Sequence, residues 1–170
     1  MMRNVMIRGA LATLGLLLAP EAPAATADAP PAAQFVFEET VLLAPDMKVG
    51  KTPFGNRNIV PIIGGTFEGP GIKGTIIPGG WDWQLASEGC FRLEANYMLR
   101  TDDNVVINIL NRGSACQQPG QPAARLITSP SFEAPIGRYG WLNDGAYLGT
   151  IDVTKVDGKP AVRIRIYKAH

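Results

Sequence analysis

The sequence has one histidine, His170, and it is the last residue. A terminal side chain is poorly held, so His170 is a poor general base. Ser-His-Asp and Cys-His catalysis therefore have no base to use. Histidine-based metal sites are excluded for the same reason. Only two cysteines occur, Cys90 and Cys116, and two thiolates without a nearby histidine do not complete a zinc shell. No Gly-x-x-x-x-Gly-Lys-Ser/Thr loop and no dinucleotide fingerprint after a strand is present. No run of basic residues occurs. A helical stripe of ten or more residues is missing from residue 34 to the end. These absences leave carboxylates, Tyr, Arg and Lys as the groups for any catalysis, with no cofactor and no metal expected.

The N-terminus has its own pattern. Arg3 and Arg8 precede an uncharged apolar run of 11 residues, Gly9 to Ala19. Pro20 and Pro23 follow, and Ala25-Thr26-Ala27 offers the small residues that a signal peptidase reads. A membrane-spanning helix needs roughly 20 apolar residues, so residues 1–27 read as a cleavable secretory signal rather than an anchor. Residues 28–33 read as a flexible leader, and residues 34–170 as one domain. Removing Arg3, Arg8 and Glu21 leaves 14 basic and 14 acidic residues. A neutral domain is a poor match for nucleic acid or an anionic membrane. The expected location is the periplasm or the exterior. There the two cysteines favour a Cys90–Cys116 disulfide, worth about 3 kcal/mol, with two separate buried thiols as the alternative.

From Gln34 onward the pattern is β. Phe35, Phe37, Val41 and Leu43 alternate, with Glu39 in the same phase. Phe91, Leu93, Ala95, Tyr97 and Leu99 alternate against Arg92, Glu94, Asn96 and Arg100. Val105, Ile107 and Ile109 form a third run, and Val162, Ile164 and Ile166 a fourth. Period two is the signature of a half-buried strand. Gly69-Pro70-Gly71, Thr101–Asn104 and Asp157-Gly158-Lys159 read as hairpin connections. Eight to ten short strands without helices predict a single antiparallel barrel or a sandwich. Residues 114–126, polar and proline-rich, read as a long loop.

Several clusters could carry chemistry. In Pro78-Gly79-Gly80-Trp81-Asp82-Trp83-Gln84 two aromatics flank a carboxylate. Trp81 and Trp83 would line a pocket for a flat ligand and desolvate Asp82, raising its pKa toward that of a useful base. The alternative is a plugged barrel end with Asp82 capping a turn. Tyr97, Arg100 and Asn111 form a second set; an inward Tyr97 needs a hydroxyl partner, whether a ligand, Asp82 or a structural acceptor. Tyr139, Trp141 and Asn143 form either the mouth of a pocket or a packed corner. Glu39 is a charge on an apolar strand face; either it faces the lumen, where a charge needs a reason, or a bulge shifts it outward. Arg57 offers an anion partner or a solvated surface charge.

The block Gly64-Gly65-Thr66-Phe67-Glu68-Gly69-Pro70-Gly71-Ile72-Lys73-Gly74, with Pro78–Gln84, resembles the signature of the domain of unknown function 3237 family. Arg92–Tyr97, Phe132-Glu133 and Tyr139–Asn143 fit the same family, and the resemblance spans about residues 35–167. It implies a closed, lipocalin-like antiparallel β-barrel with an internal or mouth cavity. Some relatives are associated with cofactor-independent conversions of aromatic or polyketide-like metabolites. Asp103-Asn104 stands where the family usually has Asp-Gly, and the export signal and Cys116 are unusual for it.

The leading expectation is an exported barrel that accommodates a small apolar or aromatic ligand through Trp81, Trp83, Trp141, Asn143, Asn111 and Glu39. The rival is a cofactor-independent lyase, isomerase or cyclase with Asp82 as base and Tyr97 or Arg57 stabilising an oxyanion. A structural module without a ligand is the third. A cavity of about 300 Å³ or more that holds Asp82 and Tyr97 would support the first two, and a lumen filled by side chains would exclude both.

Overall fold

A computed structural model describes residues 30–122 and 124–170. The signal read at 1–27 and the first two leader residues lie outside the described residues. Nine strands follow in order: β1 (Ala33–Leu43), β2 (Met47–Thr52), β3 (Gly55–Gly69), β4 (Ile72–Ser87), β5 (Cys90–Thr101), β6 (Val106–Cys116), β7 (Ile127–Glu133), β8 (Tyr147–Val156) and β9 (Lys159–Ala169). A four-residue 3-10 helix, Gly140–Asn143, interrupts the β7–β8 connection. Leader residue Ala32 already exchanges backbone hydrogen bonds with His170.

All pairings are antiparallel. The sheet runs β1-β9-β8-β7-β6-β5-β4-β3, and a β1–β3 pairing closes it. Eight strands therefore make a closed barrel, and β2 adds to the first half of β3. Closure pairs the two edges that an open sheet would expose. The seam depends on Gly65, which lies opposite Val41 at a φ of +136°. A Cβ there would run into the carbonyl oxygen of Thr40, so only glycine lets the strands approach this closely.

Alternation decides what faces inward. On β5, Leu93, Ala95, Tyr97, Leu99 and Thr101 are buried, and Arg92, Glu94, Asn96, Met98 and Arg100 are exposed. The hairpins form as the turn chemistry suggests, with Asn104, Asp157, Gly158 and Gly71 at positive φ. β1 departs from its sequence pattern. A register shift between Phe35 and Phe37 turns Phe35 outward, while Val36 and Phe37 are both buried. β6 also reaches Cys116, so the polar loop is shorter than its composition suggests.

One end of the barrel is packed solid. Phe37 meets Phe67 and Phe132 at ring-centroid distances of 5.6 and 5.8 Å, and Phe132 meets Tyr147 edge-on at 4.9 Å. Leu142 of the 3-10 helix is buried there too. Each such buried side chain contributes roughly 1.5–3 kcal/mol. Nearby, Tyr139 and Arg138 bond Asp103 in the β5–β6 turn at 2.8 and 3.1 Å. With Thr101, they hold the Asp103 carboxyl below its usual range. This ties the β7–β8 connection across the closed end.

Candidate active site in the barrel

The other half of the barrel is not filled. Val41, Leu43, Ile62, Leu93, Ile151 and Ile164 are among the residues around a cavity of about 150 Å³. That is half the expected volume. It is nevertheless the size of an apolar cavity known to take a single benzene ring. Four polar side chains enter this aliphatic wall: Asp82, Gln84, Tyr97 and Asn111. Among the described residues the lining holds no Lys, Arg or His.

Asp82 and Gln84 are two apart on β4 and so share the inner face. Gln84 Nε2 donates to Asp82 Oδ2 at 2.7 Å, and Gln84 Oε1 accepts from Asn58 Nδ2 at 3.2 Å. The glutamine thus orients the carboxyl. Asp82 Oδ1 is buried with no partner among the described residues. Burial pushes the Asp82 pKa up, and the Gln84 bond offsets part of that rise.

Behind this wall lies a second carboxyl. Glu39, fully buried, faces inward between Phe67 of β3 and Ile164 of β9. Its Oε2 accepts a 2.6 Å hydrogen bond from the Tyr97 hydroxyl, and Oε1 has no partner among the described residues. Burial raises the Glu39 pKa to about 7, against the lowering effect of Tyr97. The Tyr97 hydroxyl is pushed well above its usual range by burial, then by Glu39 and Asp82. Tyr97 lines the cavity and Glu39 does not, so the tyrosine connects the hidden carboxyl to the cavity. Gly80 makes room for it: a Cβ at Gly80 would lie 2.5 Å from the Tyr97 Cβ.

A closed antiparallel barrel holding two desolvated carboxyls narrows the field, and residues 31–169 match the family described as Protein of unknown function (DUF3237). The chain belongs to the DUF3237 family. A UPF0311 protein of Rhodopseudomonas palustris (strain TIE-1) is 32% identical over 132 residues, spanning 69% of this chain and 85% of that relative. The crystal structure of a beta-barrel like protein from Acinetobacter baumannii superposes with a TM-score of 0.70 at 28% identity, covering 84% of this chain and 98% of that one. The hydroalkoxylation enzyme phnH of Penicillium herquei is 27% identical over 121 residues, 71% of this chain and 74% of its own.

In this DUF3237 member the barrel brings Asp82, Tyr97, Asn111 and Glu39 together and separates the other candidates from them. Trp81 and Trp83 stand on the outer surface, 41% and 47% exposed. Neighbours in a strand point to opposite faces, so an inward Asp82 forces both tryptophans out. Aliphatic walls, not indoles, desolvate Asp82. Arg57, paired with Leu85 in register, also lies on the outer face, where Nη1 reaches the Gln84 carbonyl at 3.5 Å. Arg100 is exposed. Asn143 is structural: its amide bonds both the N–H and the carbonyl of Ala134, at 2.7 and 2.9 Å. Trp141, in the same 3-10 helix, lines a separate surface groove with Phe35 and Lys168. Gln84, at the end of the Pro78–Gln84 motif, belongs to the site as well, and its shared phase with Asp82 is the sequence signal that marks it.

Cys90 and Cys116 form a disulfide across the β5–β6 pair. It sits at the open end, next to Phe91 of the cavity wall, and Gln117 N–H donates to the Gly89 carbonyl beside it at 2.9 Å. Among the described residues no group of three His, Cys, Asp or Glu is placed to hold a metal.

Proposed function

We propose that this protein is a cofactor-independent acid–base enzyme for a small, one-ring metabolite, with Asp82 as the group that exchanges a proton with the ligand. One observation carries the reading. Asp82 lines an apolar cavity with one carboxylate oxygen unpartnered among the described residues, while Gln84 fixes the other. Enzymes tune general bases by this kind of burial.

The Glu39–Tyr97 pair supplies the second proton position. When Glu39 is ionised, Tyr97 donates to it. When Glu39 takes up a proton, it can donate to the Tyr97 oxygen and turn the tyrosine hydrogen toward the cavity. The relative named a hydroalkoxylation enzyme suggests a reaction class that such a pair can serve: addition of O–H across C=C. Ionised Asp82 takes the hydroxyl proton, and the oxygen bonds to one alkene carbon as the π bond breaks. The other carbon receives the Tyr97 proton, which Glu39 replaces. Exchange with water then resets both carboxyls, and no oxidant or reductant is consumed.

A one-ring substrate such as 2-hydroxyphenyl vinyl ketone, whose phenol can close onto its own C=C, tests this. In D2O the wild-type protein should accelerate ring closure and place one deuterium on carbon. Asp82→Asn should lower the rate about 100-fold or more. No acceleration over buffer, or full activity in Asp82→Asn, contradicts the proposal.

We also propose that the protein works outside the cytoplasm. The disulfide and the signal-like residues 1–27 support this. Mature protein should appear in the extracytoplasmic fraction beginning at Asp28; a cytosolic chain that keeps Met1 contradicts it.

A further inference from the structure

Asn111 stands out among the polar groups of the cavity. It faces inward from β6, in register with Ala95 of β5 and Pro130 of β7, and is 1% exposed. Neither Nδ2 nor Oδ1 has a hydrogen-bond partner among the described residues. Buried side-chain amides are ordinarily satisfied, as Asn143 is by Ala134 in this same chain. An amide that the fold buries and does not bond is costly, and a ligand that bonds it recovers that cost.

The surroundings restrict what that ligand can be. No cation lines the cavity among the described residues, and its ionisable groups are Asp82 and Tyr97, with Glu39 behind the tyrosine. An anionic ligand would lose its hydration and meet a carboxyl instead of a counter-ion. A cation would find one counter-ion, Asp82, but would lose the rest of its hydration shell to apolar walls. An uncharged ligand meets neither obstacle. Asn111 Nδ2 needs an acceptor, whereas Asn111 Oδ1 and Asp82 Oδ1 both need donors. A carbonyl and a hydroxyl supply these, and a cavity of about 150 Å³ limits their carrier to one ring.

We infer that the cavity takes an uncharged, single-ring compound bearing both a hydroxyl and a carbonyl, and that Asn111 is the residue that selects them. This rests on the cavity being the working site and deepens that reading by naming what enters it.

Isothermal titration with four probes of similar size tests it: 3-hydroxyacetophenone, 3-hydroxybenzoate, 3-hydroxybenzylamine and ethylbenzene. The first should bind wild-type protein saturably and about ten-fold or more tighter than either charged analogue. Asn111→Leu should weaken it about ten-fold, bind ethylbenzene at least as tightly because the wall becomes more apolar, and melt no lower than wild type because it removes a buried amide that has no partner among the described residues. Asn111→Ser, which lacks the amide donor, should show the same loss and stands in if the leucine variant does not fold. Tighter binding of either charged probe, an unchanged affinity in the Asn111 variants, or no saturable binding of 3-hydroxyacetophenone would overturn the inference. Because no turnover is measured, a failure here is separate from a failure of Asp82 as the proton carrier.

Discussion

Tyr97 on β5 and Glu39 on β1 are 58 residues apart in sequence and joined by a 2.6 Å hydrogen bond inside the barrel. The two strands are not neighbours in the sheet; closure of the barrel brings their inner faces together. The bond leaves the second carboxyl oxygen of Glu39 without a partner among the described residues. A fold that only needed a packed core would place an apolar residue at position 39. Under the proposed function, proton exchange gives a buried carboxyl whose pKa is raised to about 7 its use.

Stability should fall as pH rises through the window set by Glu39. The folded barrel holds this proton up to about pH 7, whereas an ordinary glutamate loses it near 4.5. Between those values the folded state binds more protons than the unfolded chain, so unfolding becomes easier as pH increases. The total is roughly 3 kcal/mol, and the raised Asp82 pKa acts in the same direction. Glu39→Gln should remove most of this slope. Urea denaturation at pH 5 and pH 8 measures it; equal slopes for the two proteins would exclude Glu39 as the source.

Gly80→Ala should disturb Tyr97 together with the strand that carries it. The new methyl group would press on the Tyr97 Cβ and on the Asn96 carbonyl oxygen of β5, shifting the tyrosine hydroxyl relative to Glu39. Overpacking of this kind costs about 1–3 kcal/mol. The Tyr97 absorbance titration should shift in this variant while the far-ultraviolet circular dichroism remains that of a barrel. An unchanged tyrosine titration would show that Gly80 does not position Tyr97.

Replacing Cys90 and Cys116 together by serine should destabilise the protein by about 3 kcal/mol, the chain-entropy value for their sequence separation of 26. Denaturation with and without reductant measures this. Reductant should move the wild-type midpoint and leave the double variant alone; equal midpoints for all samples would remove the bridge from the stability of the fold.

Much of the barrel was legible because β5 keeps strict period two from Phe91 to Thr101 and because Asn104 and Asp157-Gly158 carry hairpin chemistry. The reversed phase at Phe35 was not legible, since a register shift follows from how two strands meet. Within the site, the phase of β1 left Glu39 either facing the lumen or turned outward by a bulge, and the barrel turns it inward. Its partner was not readable, because barrel closure rather than local sequence unites Glu39 with Tyr97. The Trp81-Asp82-Trp83 cluster misled by proximity: adjacency in sequence is opposition in a strand. Asn143 misled for a different reason, as its partner Ala134 is fixed by the path of the β7–β8 connection.

The barrel interior holds two desolvated carboxyls, one bonded to Tyr97 and one lining the cavity. Carbon-13 titration of the glutamate and aspartate carboxyls by nuclear magnetic resonance, in wild-type protein and in Tyr97→Phe, measures their states. The expected result is a Glu39 carboxyl titrating near 7, moving higher when the Tyr97 hydroxyl is removed, and an Asp82 signal that shifts when 3-hydroxyacetophenone is added. A Glu39 carboxyl that titrates near 4.5 and ignores Tyr97→Phe, with Asp82 indifferent to the probe, would contradict it.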